Sequence, residues 1–175
     1  MKRESDQRSI NMDTKPELIP VEAPWTIGVH SEISIQLNES GSIVITSTVS
    51  FIKGDANEAI GYALVEYVID IVFFDTIWLI TNPVSDDHKD FYEGYIYSAV
   101  EPRSFMTLRQ YRLKWLESGL CPDPHMYVVH RSKWNPSPVL MKKGYKHYVI
   151  LGRDICIDVF GNKWDWQNKR KMIYQ

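Results

Sequence analysis

The sequence predicts a strand-rich α+β fold, mainly antiparallel sheet with one clear amphipathic helix at about residues 107–118. Three observations carry this expectation. Apolar and polar residues alternate on both sides of Gly41, the period of half-buried strands. Eight of the 17 residues from Leu64 to Ile80 are β-branched, which favours a pleated strand over a helix. Leu108, Tyr111, Trp115 and Leu116 fall on one face at helical spacing.

Residues 1–20 read as a flexible tail, because Lys2, Arg3, Glu4, Asp6 and Arg8 charge it and Pro16 and Pro20 interrupt regular structure. A single globular domain is expected over residues 21–175. In its first hairpin, Ile33, Ile35 and Leu37 face Ile45 and Ile43 across a loop Glu39-Ser40-Gly41, with Gly41 at the left-handed position. From Leu64 a strand should carry Glu66 and Asp70 on one face and Tyr67, Ile69 and Ile71 on the other; Asp75 is out of phase, which puts a break near Phe74. The helical alternative would align Glu66 and Asp70 on a narrow polar stripe.

Asn82 to Asp90 is polar enough for a loop, and Tyr92 to Val100 reads as a strand. Thr107, with Gln110 three residues on, suits the helix cap, while Gly119 and Pro122 stop the helix. Trp115 and Leu116 should be buried, and Arg109 and Lys114 exposed. A strand Tyr127–Arg131 and a rigid loop around Trp134 follow. Tyr145 to Phe160 should form a hairpin turning at Gly152-Arg153, and Lys169-Arg170-Lys171 a solvated basic end.

Composition narrows the function classes. Twenty basic and 22 acidic residues give a net charge of −2, so the basic footprint of general nucleic-acid binding is missing. The apolar stretch Ala59 to Thr81 approaches the length of a membrane span but carries Glu66, Asp70 and Asp75, each costing about 2.5–3.5 kcal/mol at the bilayer centre. No membrane role is expected. Met1 to Ser9 contain no apolar segment, and Cys121 and Cys156 are the two cysteines; a cytoplasmic location with reduced thiols is the expectation.

No phosphate-binding glycine loop, nucleophile elbow or Cys-x-x-Cys pair occurs, so no cofactor is expected. Cys121 and His125 are spaced as two metal ligands, yet a structural zinc site takes four; a plain loop with a core thiol is the simpler reading, and no metal is assigned. A turn at Gly152-Arg153 would set His147 opposite Asp158, with the carboxylate orienting the imidazole. Those two residues are the alternative catalytic pair, against the reading of an ordinary surface pair. Asp86, Asp87 and Asp90 form an acidic loop lacking the ligand spacing of a calcium site; with Trp134 they are the candidate partner-binding residues.

The residues Ser118-Gly119-Leu120-Cys121-Pro122-Asp123-Pro124, Tyr127, Ser132, Trp134, His147-Tyr148, Gly152 and Asp154 complete a pattern over roughly the last third of the chain. It resembles small uncharacterised bacterial proteins of the polymorphic-toxin immunity type. The resemblance implies a non-enzymatic binder and assigns no functional residue. Two function classes therefore stand: an immunity-type protein holding a protein partner, such as a basic toxin domain, and a small enzyme using His147 and Asp158. A concave pocket containing a histidine with an oriented carboxylate would favour the enzyme, and a flat apolar patch with an acidic rim the binder.

Overall fold

The computed structural model describes residues 15–28, 31–38, 40–54, 62–84, 91, 94–97, 105–134 and 137–172. Its elements in chain order are β1 (Glu17–Pro20), β2 (Trp25–Ile27), β3 (Ile33–Leu37), β4 (Ile43–Lys53), β5 (Ala63–Phe74), β6 (Trp78–Pro83), β7 (Ile96–Tyr97), α1 (Phe105–Ser118), β8 (Met126–His130), α2 (Pro138–Lys142), β9 (Lys146–Leu151), β10 (Ile155–Gly161) and β11 (Lys163–Lys171). The strands form two sheets. One has six strands in the order β6-β10-β9-β8-β1-β7; the other has five, ordered β11-β5-β4-β2, with β3 also on β4. Every pairing is antiparallel except β1 with β7, so the strand-rich, mainly antiparallel α+β class stands.

The sheets pack on each other through one apolar layer. Trp25, Ile27, Ile45, Ile69, Ile71 and Phe73 of the five-stranded sheet meet Met126, Tyr148, Ile150, Ile157 and Val159 of the six-stranded one. Within the first, β2 and β3 line the same edge of β4, and Leu37 pairs with Ile43 and Ile35 with Ile45 as the turn chemistry requires. Gly41 takes φ +77°, which a side chain would resist. Strand β5 runs to Phe74 and breaks at Asp75, φ +51°. Asp70 is buried on the face away from the inter-sheet layer and accepts a hydrogen bond from Thr46 Oγ1 at 2.5 Å.

Several expectations need correction. Glu17–Pro20 is not tail but strand β1, between β7 and β8; its prolines sit at and just before its ends, where the ladder tolerates a missing N–H. Of Tyr92–Val100 only Ile96–Tyr97 is a described strand. Helix α1 begins at Phe105, so Thr107 lies inside its first turn and not at the cap. Trp115 is buried and Arg109 and Lys114 are exposed, but Leu116 is only half-buried. The end Lys169–Lys171 belongs to β11, paired with β5, whose Trp164 and Trp166 meet Trp25 edge-on at 6.4 and 6.3 Å.

The closing hairpin exists, with a different register. Leu151 pairs with Cys156, Val149 with Asp158 and His147 with Phe160. The loop is longer than the expected Gly152-Arg153 turn, closed by Gly152 N–H donating to Ile155 O at 2.8 Å. The slip is two residues, and because side chains alternate with period two each residue keeps its face. Tyr148, Ile150, Ile157 and Val159 stay in the inter-sheet core. A second apolar cluster, with Leu18, Tyr127, Val129, Val149 and Leu151, covers the outer face beneath Phe91, Tyr95 and Tyr97.

Trp115 is 2% exposed and donates Nε1–H to Pro24 O at 3.1 Å, tying α1 to the chain ahead of β2. Trp115→Ala is expected to cost about 3–5 kcal/mol, as large core truncations do, whereas Arg109→Ala should stay within about 0.5 kcal/mol. Urea melts check both, and a loss below about 1 kcal/mol for Trp115→Ala would contradict this packing.

Candidate functional site

On the outer face of the six-stranded sheet, His147 projects from β9 and Asp158 from β10, diagonal to each other across the ladder. Diagonal neighbours remain within reach of long side chains, and His147 Nε2 lies 2.7 Å from Asp158 Oδ1. The pair is not at the surface: the residues are 5% and 6% exposed. After β8 the chain turns back over this face through Arg131, whose φ is +57°. That turn brings Ser132 Oγ to 2.7 Å from His147 Nδ1 and lays the Trp134 indole on the imidazole, centroids 4.7 Å apart and planes 5° apart.

The proton positions follow from what each group can donate. For a neutral imidazole the Asp158 carboxylate, which only accepts, places the proton on Nε2, and Nδ1 then accepts from the Ser132 hydroxyl. Ser132 Oγ in turn accepts the Trp134 backbone N–H at 3.0 Å. The other carboxylate oxygen of Asp158 accepts from Asn82 Nδ2 on β6 at 3.0 Å. Three strands and the turn after β8 thus converge on a hydrogen-bonded series Asn82, Asp158, His147, Ser132.

Clefts open on both sides. The larger, about 350 Å³, has Ile19, Val128, Met141 and Phe160 among its walls, with Arg131 and Lys146 also lining it. The smaller, about 320 Å³, is lined by Pro16, Asn82, Tyr95, Lys133 and Asp158 among others. Ser132, Trp134 and His147 line both. Beyond Trp134 the ring contacts continue. Trp78 meets Trp134 edge-on at 6.4 Å and Phe160 at 5.6 Å, and Tyr145 stacks on Phe160 at 6.0 Å. Trp78, Ile80 and Met141 are 41%, 44% and 48% exposed.

The cysteines take no part in such chemistry. Burial pushes the Cys156 thiol far above its ordinary range, with the Asp158 charge adding to it; burial also raises Cys121 to about 12. Burial, then the Asp158 charge, lifts the Tyr95 phenol to about 12. Cys121 and His125 do not form a ligand pair. Cys121 Sγ meets Tyr111 OH at 3.2 Å, while His125 Nδ1 lies 2.7 Å from Ile27 O. Their loop is held instead by Asp123, whose carboxylate accepts from Tyr127 OH at 2.6 Å and Tyr97 OH at 2.5 Å. Among the described residues no three of His, Cys, Asp and Glu converge as metal ligands.

Trp134, expected in a partner surface, and His147 and Asp158, expected as a separate pair, occupy one place. Asp86, Asp87 and Asp90 lie outside the described residues. Asn82 and Ser132 are the members that sequence reasoning misses. Ser132 figures there only in the resemblance pattern, since no local periodicity links it to a histidine 15 positions on.

Breaking the buried pair should cost more than the 0–1 kcal/mol of a surface pair. Asp158→Ala is expected to destabilise by about 1.5–3 kcal/mol, the range for hydrogen bonds to a charged group, and Ser132→Ala by about 1 kcal/mol. Equilibrium urea unfolding measures both, and a negligible loss for Asp158→Ala would return the pair to the surface. The two thiols should react with Ellman's reagent at pH 8 only as fast as the chain opens, with both released at once in denaturant. Neither a family model, nor a curated protein, nor a solved structure matches this sequence.

Proposed function

We propose that this protein acts by stoichiometric binding of a protein partner, as an immunity-type protein that neutralises a cognate toxin in the cytoplasm. One observation carries the reading: an aromatic surface of exposed Trp78 with half-buried Trp134 and Tyr145, packed over the buried Phe160 ring and flanked by exposed Ile80 and Met141, at the edge of the six-stranded sheet. Trp and Tyr anchors dominate interface energetics. Trp134 is also held before any partner arrives, by the His147 stack and the Ser132 hydrogen bond to its backbone. An anchor ordered in advance loses little entropy on binding. The resemblance over the last third of the chain points the same way. The near-neutral net charge of −2 disfavours nucleic acid as the partner.

In this reading Asp86, Asp87 and Asp90 meet a basic surface of the partner and speed association more than they deepen affinity. The test starts with a pull-down from the native host, followed by calorimetry on the recovered protein. A 1:1 complex is expected, with Trp78→Ala or Trp134→Ala losing about 2 kcal/mol or more, roughly 30-fold in Kd. Asp86→Lys with Asp87→Lys should slow association and flatten its salt dependence. Unchanged affinity in both Trp variants would remove the aromatic surface from the interface.

A second reading, a small enzyme using His147 and Asp158, is favoured by a different observation. The imidazole is oriented by a carboxylate at 2.7 Å and lines two clefts.

A further inference from the structure

We infer that Ser132 is a nucleophile activated by His147, and that the larger cleft receives the apolar acyl group of an ester. The inference rests on the enzyme reading and is independent of whether the aromatic surface holds a partner.

Ser132 Oγ and Asp158 Oδ1 each lie 2.7 Å from a different nitrogen of His147, the arrangement of a hydroxyl, a base and the group that orients the base. With Asp158 fixing the proton on Nε2, Nδ1 is the acceptor poised for the hydroxyl proton. Either imidazole nitrogen is a competent base when the other carries the proton. A hydroxyl has one proton and two lone pairs; the proton goes to Nδ1 and one lone pair accepts Trp134 N–H. One pair is left for attack. Arg131, immediately before Ser132, holds φ +57°, a conformation uncommon for a non-glycine residue and concentrated at functional sites.

The cleft defines the substrate class. Ile19, Val128, Met141 and Phe160 give it apolar walls, and Ser132 and His147 line it too. Lys133 lines the adjoining cleft with Ser132, and its ammonium is the candidate partner for the oxyanion. In the reaction Oγ bonds to the carbonyl carbon of the ester as its proton passes to Nδ1. The carbonyl–alkoxy bond then breaks, and the alcohol leaves with the proton from Nδ1. Water attacks the acyl-serine, gives its proton to Nδ1, and the carboxylic acid departs as Ser132 regains its hydrogen. No oxidant, reductant or co-reactant other than water is involved.

The test uses the full chain with a fluorophosphonate probe and with p-nitrophenyl acetate and octanoate. The wild-type protein should gain one phosphonyl adduct, located by peptide mass analysis on Ser132, and hydrolyse the octanoate faster than the acetate. His147→Ala should slow labelling by about 10²–10⁴-fold, the usual contribution of a general base, and Ser132→Ala should abolish both. A folded wild-type chain with no adduct on Ser132 overturns the proposal, whatever the variants do. Ester turnover lost in His147→Ala but kept in a folded Ser132→Ala would retain the histidine as a base toward water and discard Ser132 as nucleophile. Turnover of acetate and octanoate at equal rates would discard the apolar cleft as the acyl site.

Discussion

The hairpin of β9 and β10 is buried on both faces, and the rest of the structure answers to that. One face lies against the five-stranded sheet through Tyr148, Ile150, Ile157 and Val159. The other has Val149, Leu151 and Cys156 beneath Phe91, Tyr95 and Tyr97, then His147 beneath Trp134 with Asp158 beside it. A strand covered on both sides is normally apolar throughout. Where it is not, each buried polar group needs partners, because an unpaired one costs about 1–3 kcal/mol. His147 and Asp158 meet that demand through Asn82 and Ser132.

The same device recurs at the other end of that face. Asp123, 9% exposed, accepts from Tyr127 on β8 and Tyr97 on β7, as Asp158 accepts from His147 and Asn82. Each carboxylate pins one covering segment onto the sheet: Asp123 the segment that contains Tyr97, and Asp158, through His147, the turn that contains Ser132 and Trp134. Both segments carry aromatic rings, so the pinned loops also supply the apolar cover. Packing and polar satisfaction here are one arrangement rather than two.

Much of this is legible in the sequence, and the failures have physical reasons. The Gly41 hairpin and the β5 break near Phe74 are local features, written in a turn glycine and in a phase change at Asp75. The β9–β10 register is not, because an expected Gly152-Arg153 turn and the observed longer loop preserve the same alternation. The even slip is why His147 and Asp158 still meet although they are not directly opposite. Strand β11 hides its alternation behind charge: Trp164 and Trp166 are half-buried between exposed Lys163, Asp165 and Gln167. Strand β1 is short and proline-bounded, and only its place between β7 and β8 makes it a strand. Ser132 is invisible for a similar reason: its partner depends on how a turn folds over a sheet.

Stability does not account for the buried polar series. Replacing a buried charged pair by well-packed apolar residues is often neutral or stabilising, so its distinctive product is geometry. The turn alone would be served by any short acceptor at position 132 able to take Trp134 N–H. A hydroxyl is needed there because Asp158 keeps the imidazole proton on Nε2 and leaves Nδ1 requiring a donor. Ser132 therefore answers to His147, His147 to Asp158, and Asp158 to Asn82 on the edge strand. Through that order of hydrogen bonds the edge of the sheet fixes both the plane of the Trp134 indole and the direction of the Ser132 proton. A fixed indole and an oriented hydroxyl are thus two outcomes of one constraint, and they part company only at Oγ, whose remaining lone pair the indole does not use.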